Sequence, residues 1–362
     1  MNVLIVNFPT SNHIARLHVM RLYLQVGGAQ VKTISCSIWG DNDKRLKLTK
    51  RPWLILLEIL PMIRYLREIV REVRTGKHDK IIIGYPAYLD VLVLNTFCRK
   101  YRSRFYTDYF LSVYDTAVLD RKMHKPRSIM AKLFFGLDRW LIRASNRVLT
   151  DTHTNSKRYS TLFGANLDKF MRYFVGSRLL LNGVATNDTA TDDQSTVNVG
   201  WVGSFIPLHG IGIILQTALQ MKDKNVRFHL IGNGQDFETA QEFLRKNKLN
   251  KVVLHGKCSY DDSMHILKSC TVCLGIFGGS EKSKSVIPFK VFDYLYLGKS
   301  IITQASPAFE EMNNNPQIQL TSAEPADIAD AILTCATTET NEFDLDALMR
   351  DETVRFMQNV QA

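Results

Sequence analysis

The sequence predicts an α/β protein of two domains, each with a parallel sheet and right-handed crossovers, and three observations lead there. The chain has 362 residues, more than one ordinary hydrophobic core serves, so two domains are expected. Its opening reads strand, helix, strand: an apolar run at 3–8, a helical run at 14–26 closed by Gly27 and Gly28, and a second strand at 30–35. From Val197 onward, apolar strands end repeatedly in glycine-containing turns that lead toward helices. Strands alternating with helices imply parallel pairing. An apolar share of 45% suits a folded chain rather than a disordered one.

After the opening unit, residues 44–80 carry eleven lysines and arginines against four acids, around the apolar run at 53–63 (WLILLEILPMI). Two readings stand. One is a crossover helix covering the sheet with solvated arginines. The other is a basic amphipathic helix lying in a bilayer interface. Next come a strand at 80–84, a helix at 90–100 and a strand at 104–109. A polar and aromatic loop follows at 111–122 (LSVYDTAVLDRK), at the carboxyl end of its strand, where open α/β sheets bind ligands. Asp115, Asp120, Arg121 and Lys122 are therefore candidates for substrate contact, or equally for pairing with one another at the surface. His13, in the first turn, is either structural or faces an acceptor. A helix at 128–144, a strand at 147–150 and a helix opening at 151–160 complete this half.

The small, acidic stretch within 179–196 reads as a linker, giving domains at 1–180 and 181–340 and a last helix, 341–362, packing back toward the N-terminal domain. The second domain repeats the logic of the first. Strands at 197–202, 227–231, 251–255 and 271–277 end near Gly203, Gly232 and Gly234, Gly256, and Gly278; helices are read at 211–221, 259–269 and 326–335. Glycine turns let backbone amides approach a ligand along one sheet edge. The chemistry concentrates at 278–311. There Pro288 precedes a helix at 290–297, Gly298 stands at its C′ position, and a strand follows at 301–303. A helix N-terminus is an anion site; Lys290 adds a cation and Asp293 can accept hydrogen bonds from hydroxyls. Phosphate beside sugar hydroxyls describes a nucleotide or nucleotide sugar.

The remaining composition narrows the partners. A net charge of +11 favours anionic company, yet the basic residues lack an aromatic-interleaved recognition motif, so nucleic acid is not expected. The six cysteines are scattered, as in a reducing compartment, and Cys270 and Cys273 read as strand packing rather than a redox or metal pair. No secretory leader and no spanning segment are expected.

The order of motifs then resembles the retaining glycosyltransferases of family four, within the glycosyl transferases group 1 relatives. It is carried by VGWVGSFIPLHGI at 199–211, FHLIGNGQ at 228–235, VVLHGKCSYDD at 252–262, VCLGIF at 272–277 and VIPFKVFDYLYLGKSIIT at 286–303, and more loosely by 110–122 and 148–152. The resemblance implies the GT-B fold, two facing domains with a cleft between them, and a nucleoside-diphosphate sugar, UDP- or GDP-linked, held mainly by the C-terminal domain. By position it implies Asp293, where glutamate is usual, as the ribose acceptor. Val286, Ile287 and Lys290 would cradle the diphosphate, Lys257 would stand near the base, and Gly203 and Ser204 would face the donor phosphates. His209, when protonated, would help neutralise the leaving group. Ser285 stands where relatives carry a glutamate, and Lys282 and Lys284 offer compensating charge. The implied activity is metal-independent, cofactor-free, retaining transfer of a hexosyl or related unit to a glycan or lipid-linked acceptor in cell-surface polysaccharide synthesis. Its place would be cytoplasmic, with possible contact to an anionic membrane surface. A rival reading is a non-catalytic nucleotide-sugar-binding partner of such a pathway.

Overall fold

The computed structural model describes residues 1–8, 15–35, 55–181, 196–312, 315–338 and 343–358. His13 and residues 44–54 of the basic stretch lie outside these. The chain divides into two units: Met1–Leu181 together with Ala347–Ala362, and Asn182–Asp346.

The first unit holds a six-stranded sheet in the order β2-β1-β3-β4-β5-β6, parallel throughout. The strands are β1 (Asn2–Phe8), β2 (Gln30–Ser35), β3 (Lys80–Ile83), β4 (Phe105–Asp108), β5 (Arg147–Thr150) and β6 (Phe170–Arg172). The helices are α1 (Ala15–Val26), α2 (Ile55–Arg74), α3 (Tyr88–Phe97), α4 (Ile129–Ala144) and α5 (His153–Phe163). The step from β1 to β2 runs one way along the sheet and every later step runs the other. Right-handed crossovers therefore place α1 on one face and α2 to α5 on the opposite one. Accordingly Tyr65, Ile69, Val91, Leu94, Leu141, Ile142, Tyr159 and Phe163 share one core with Leu4, Val6, Ile81 and Val148. Strands β1 and β3 are buried on both faces, which explains their unbroken apolar runs.

The second unit holds another six-stranded parallel sheet, β12-β11-β10-β7-β8-β9. Its elements are β7 (Val197–Val202), α6 (Ile211–Gln220), β8 (Val226–Ile231), α7 (Phe237–Asn247), β9 (Val252–Gly256) and α8 (Tyr260–Lys268). They continue with β10 (Val272–Leu274), α9 (Phe289–Tyr296), β11 (Ser300–Gln304), β12 (Ile318–Thr321) and α10 (Pro325–Thr337). Val199, Trp201, Phe228, Leu274 and Ile302 form its core with Ile214, Ala218 and Ile332. The last helix, α11 (Leu345–Gln358), belongs to the first unit from Ala347 onward. There Glu352 accepts from Arg172 Nε at 2.9 Å, and Thr353 and Tyr173 hydroxyls lie 2.7 Å apart. Lys80, fully buried, donates to the Phe356 carbonyl and sits 4.0 Å from the Phe356 ring centroid.

Some element readings change. Residues 111–122 are not an open loop, because Asp115–Asp120 winds into a π-helical turn with Asp115, Val118 and Asp120 buried. The predicted strand at 271–277 is regular only over Val272–Leu274. Strands β6 and β12 and helix α7 escape the sequence reading. The two strands are short sheet edges without a buried apolar run, and α7 buries only Ala240.

Candidate functional site

Carboxyl ends of parallel strands gather the second unit's predicted site. The turn after β7 passes through Gly203 and reaches Gly210, which has φ +67° and initiates α6. The turn after β8 is pressed against it. Gly232 adopts φ +136°, and a Cβ there would overlap the Gly203 carbonyl, so only glycine fits. A Cβ on Gly234 would fall 2.6 Å from the Phe205 carbonyl oxygen. Gly232 N donates to Gly256 O at 2.8 Å, tying in the end of β9, where Lys257 is exposed. On the other side, Phe277 N donates to His209 O at 3.2 Å, bringing the segment after β10 alongside.

Into this edge projects Lys290, from the first turn of α9. Its ammonium stands 4.1 Å from the Trp201 ring centroid and 3.4 Å from the Gly275 carbonyl oxygen. A Cβ on Gly203 would lie 2.9 Å from Lys290 Nζ and 3.1 Å from His209 Nδ1, so the glycine lets both side chains close on the backbone. Trp201 Nε1 donates to the same Gly275 carbonyl at 3.2 Å, and its indole meets the His209 ring edge-on at 5.8 Å. Burial pushes the Lys290 pKa well below the ordinary lysine value. His209 is pushed down to about 3, by burial first and the Lys290 charge second, against the opposing hydrogen bond to Ser204. At neutral pH this imidazole is therefore uncharged, and it does not serve as the cation expected beside a diphosphate. Its Nδ1 lies 2.6 Å from the Ser204 carbonyl oxygen, an acceptor only, so Nδ1 carries the hydrogen and Nε2 is the lone-pair nitrogen.

The opening of α9 supplies the rest. Pro288 is its extended N-cap residue, Gly298 follows the C-cap with φ +67°, and Ile287 is buried beside half-buried Val286. Ser285 is buried and donates to the Glu281 carbonyl at 2.7 Å, so its hydroxyl holds its own turn together. Lys284 lies 3.4 Å from Glu281 at the surface. Asp293 is buried, and its Oδ1 accepts from the Tyr260 hydroxyl at 2.8 Å. Tyr294, behind it, accepts from Val202 N at 3.0 Å and locks α9 to β7.

Asp115 lies in the first unit and is fully buried. Arg158 of α5 grips its carboxylate with both terminal nitrogens, and Asp115 N donates to Ser112 Oγ at 2.9 Å. The structure thus brings Gly203, Ser204, His209, Gly232, Gly234, Lys290 and the residues opening α9 to one sheet edge; Lys257 stands at its end. Sequence reasoning passed over Trp201, Tyr260 and Arg158. Trp201 was visible as a large aromatic ending a buried strand before a glycine. Nothing local marks Tyr260 or Arg158, whose partners lie 33 and 43 residues away. Among the described residues, no group of three or more His, Cys, Asp or Glu could hold a metal. No described helix is long and apolar enough to cross a membrane.

Residues 196–338 match the family model described as Glycosyl transferases group 1. A stretch of 94 residues is 30% identical to the uncharacterized glycosyltransferase MJ1178 of Methanocaldococcus jannaschii, covering 26% of this chain and a quarter of that relative's length. Among solved structures, Anabaena Alr3699/HepE in complex with UDP and glucose aligns over 99% of this chain and all of that one, at 13% identity and TM-score 0.63. A glycosyltransferase from Rickettsia africae aligns over 98% and 93%, at 13% identity and TM-score 0.57. At such identities the likeness is one of fold. The fold is α/β of the GT-B type.

Proposed function

We propose that this chain is a glycosyltransferase that moves a sugar, with retention of anomeric configuration, from a UDP- or GDP-sugar to a glycan or lipid-linked acceptor. The observation that carries the reading is Lys290, buried at the opening of α9, with its ammonium over Trp201 and against Gly203. A diphosphate at this edge would meet the lysine and the positive end of the helix together. The family match over residues 196–338 and the UDP-glucose complex of the Anabaena protein support the donor class. In the reaction the bond from the anomeric carbon to the diphosphate oxygen breaks, the acceptor oxygen bonds that carbon, and the acceptor's proton passes to the leaving phosphate. Lys290 stabilises the charge that develops on the diphosphate. His209, neutral, offers Nε2 to a donor hydroxyl. Asp293 takes a ribose hydroxyl beside Tyr260, whose hydroxyl donates to the same carboxylate at 2.8 Å. Metal independence, a hexosyl donor, polysaccharide synthesis and a cytoplasmic place belong to the same proposal.

The test is nucleotide release from a panel of UDP- and GDP-sugars with glycan and lipid-linked acceptors, followed by NMR of the new linkage. Acceptor-dependent release with a retained anomer is expected. Lys290→Met, which keeps the volume of the buried chain, should lower kcat/KM on the order of a hundredfold or more. No release with any pair, or an equally active Lys290→Met, would defeat the reading. The rival, a non-catalytic binder, draws on Ser285, whose hydroxyl closes its own turn where the family resemblance implies an acid. It predicts nucleotide-sugar binding without turnover.

A further inference from the structure

Helix α4 faces outward with an apolar stripe. Ile129, Leu133, Leu137 and Trp140 recur at intervals that keep one face of a helix, and they are 85%, 51%, 41% and 37% exposed. The helix's inward face holds Ala131, Asp138, Leu141 and Ile142. Asp138 is the one acid in residues 121–144, and it is turned inside, accepting from Ser112 Oγ at 2.6 Å and Tyr114 N at 2.8 Å. What remains outside is cationic: Lys132, Arg139 and Arg143 flank the stripe, and Arg121, Lys122, Lys125 and Arg127 precede it, all exposed. Among the described residues no carboxylate pairs with Lys132, Arg139 or Arg143. Helix α3 packs against α4 on one side and α2 on the other, and continues the surface with exposed Leu89 and Leu92. Between α2 and α3 runs a groove of about 510 Å³ lined by Ile63, Leu66, Val70 and Phe97, with Arg67 and Arg71 among its walls.

From this juxtaposition we infer that the outer face of α4, continued by α3 and α2, docks on an anionic lipid bilayer. A monomer seldom leaves so many large apolar side chains outward on adjacent helices without something covering them. The charges decide what covers them. A second copy would bring the same cations against each other across a self-complementary interface, whereas anionic headgroups complement them. A helix with an apolar stripe and lysine and arginine along one edge of it lies in the interface plane, with Trp140 at headgroup level. The inference concerns the first unit alone and stands apart from the transfer reaction, so its failure leaves the proposed activity untouched.

The experiment is sedimentation of the full chain with vesicles of phosphatidylcholine alone and of phosphatidylcholine with phosphatidylglycerol in equal parts. The wild type should pellet with the second and stay in solution with the first. Lys132→Gln, Arg139→Gln and Arg143→Gln together should weaken the partition roughly a hundredfold, at about one factor of five per charge. Leu133→Gln with Leu137→Gln should also release the protein. Both sets lie at exposed positions, and an unchanged thermal melt shows that they fold. Trp140 emission should shift to the blue on adding anionic vesicles, and Trp140→Phe should remove that component. A wild type left in the supernatant, or variants that pellet as it does, would overturn the inference. So would wild-type self-association by analytical ultracentrifugation that Leu133→Gln with Leu137→Gln abolishes, since the stripe would then be a contact between copies.

Discussion

At Lys290 the ammonium sits over Trp201 with the Gly275 carbonyl at 3.4 Å, and burial holds its pKa well below the ordinary value. A diphosphate bound there, as proposed, would add a counter-charge and raise that pKa, so the complex would hold more protons than the free protein. UDP binding should therefore take up protons, and affinity should fall as pH rises. Calorimetry in buffers of different ionisation enthalpy reads this directly; a buffer-independent enthalpy, or the same uptake in Lys290→Met, contradicts it. Lys80 gives a pH effect on stability. Burial lowers it to about 8 in the folded chain from 10.5, so between those values the unfolded chain binds more protons. Stability from this group rises with pH across that window, by up to about 1.4 kcal/mol per pH unit. Urea unfolding at several pH values should show the rise and lose it in Lys80→Met. Asp115 poses a third question, whether its carboxylate meets substrate or pins the π-helical turn. Its two-nitrogen grip by Arg158 argues for pinning. Asp115→Asn should cost about 3 kcal/mol, because it removes the charge of a fully buried carboxylate that Arg158 grips. An equally stable variant would return Asp115 to the list of substrate contacts.

Among the elements, the glycine turns set how closely the site can assemble. Gly232 sits at φ +136° with no room for a Cβ against the Gly203 carbonyl. Gly232→Ala should therefore destabilise the second unit by about 1–3 kcal/mol from backbone strain, with more from the clash. Because Gly203 also faces Lys290 and His209, nucleotide affinity should fall with it, as thermal unfolding with and without UDP will show. Unchanged melting would mean that these two turns are not pressed together. At the opposite end of the order, α4 shows why an amphipathic pattern is ambiguous. Residues 128–144 read simply as a helix, and the sequence reading placed membrane contact on 44–80 instead. Apolar residues lie on both sides of α4, and only the position of the sheet tells which stripe is covered.

Over the whole molecule, α11 closes the first unit after the chain has finished the second. It does so through Arg172–Glu352, Tyr173–Thr353 and the carbonyl that receives Lys80. A chain ending at Asp346 should lose stability in the first unit while Trp201, in the second unit's core, reports its transition unmoved. Equal destabilisation of both would show that the units unfold together. The sequence by itself determined the α/β class, most strands and helices, and the placing of Gly203 at a strand end and of Lys290 and Asp293 on the helix after Pro288. Those features follow from local signals: unbroken apolar runs for strands buried on both faces, glycines at positive φ, and proline before a helix. Tertiary structure alone decided the neutrality of His209, the pairing of Asp115 with Arg158, the Tyr260 bond to Asp293 and the outward stripe of α4. Each depends on which distant side chain, or how little water, surrounds a group, and no spacing along the chain encodes that.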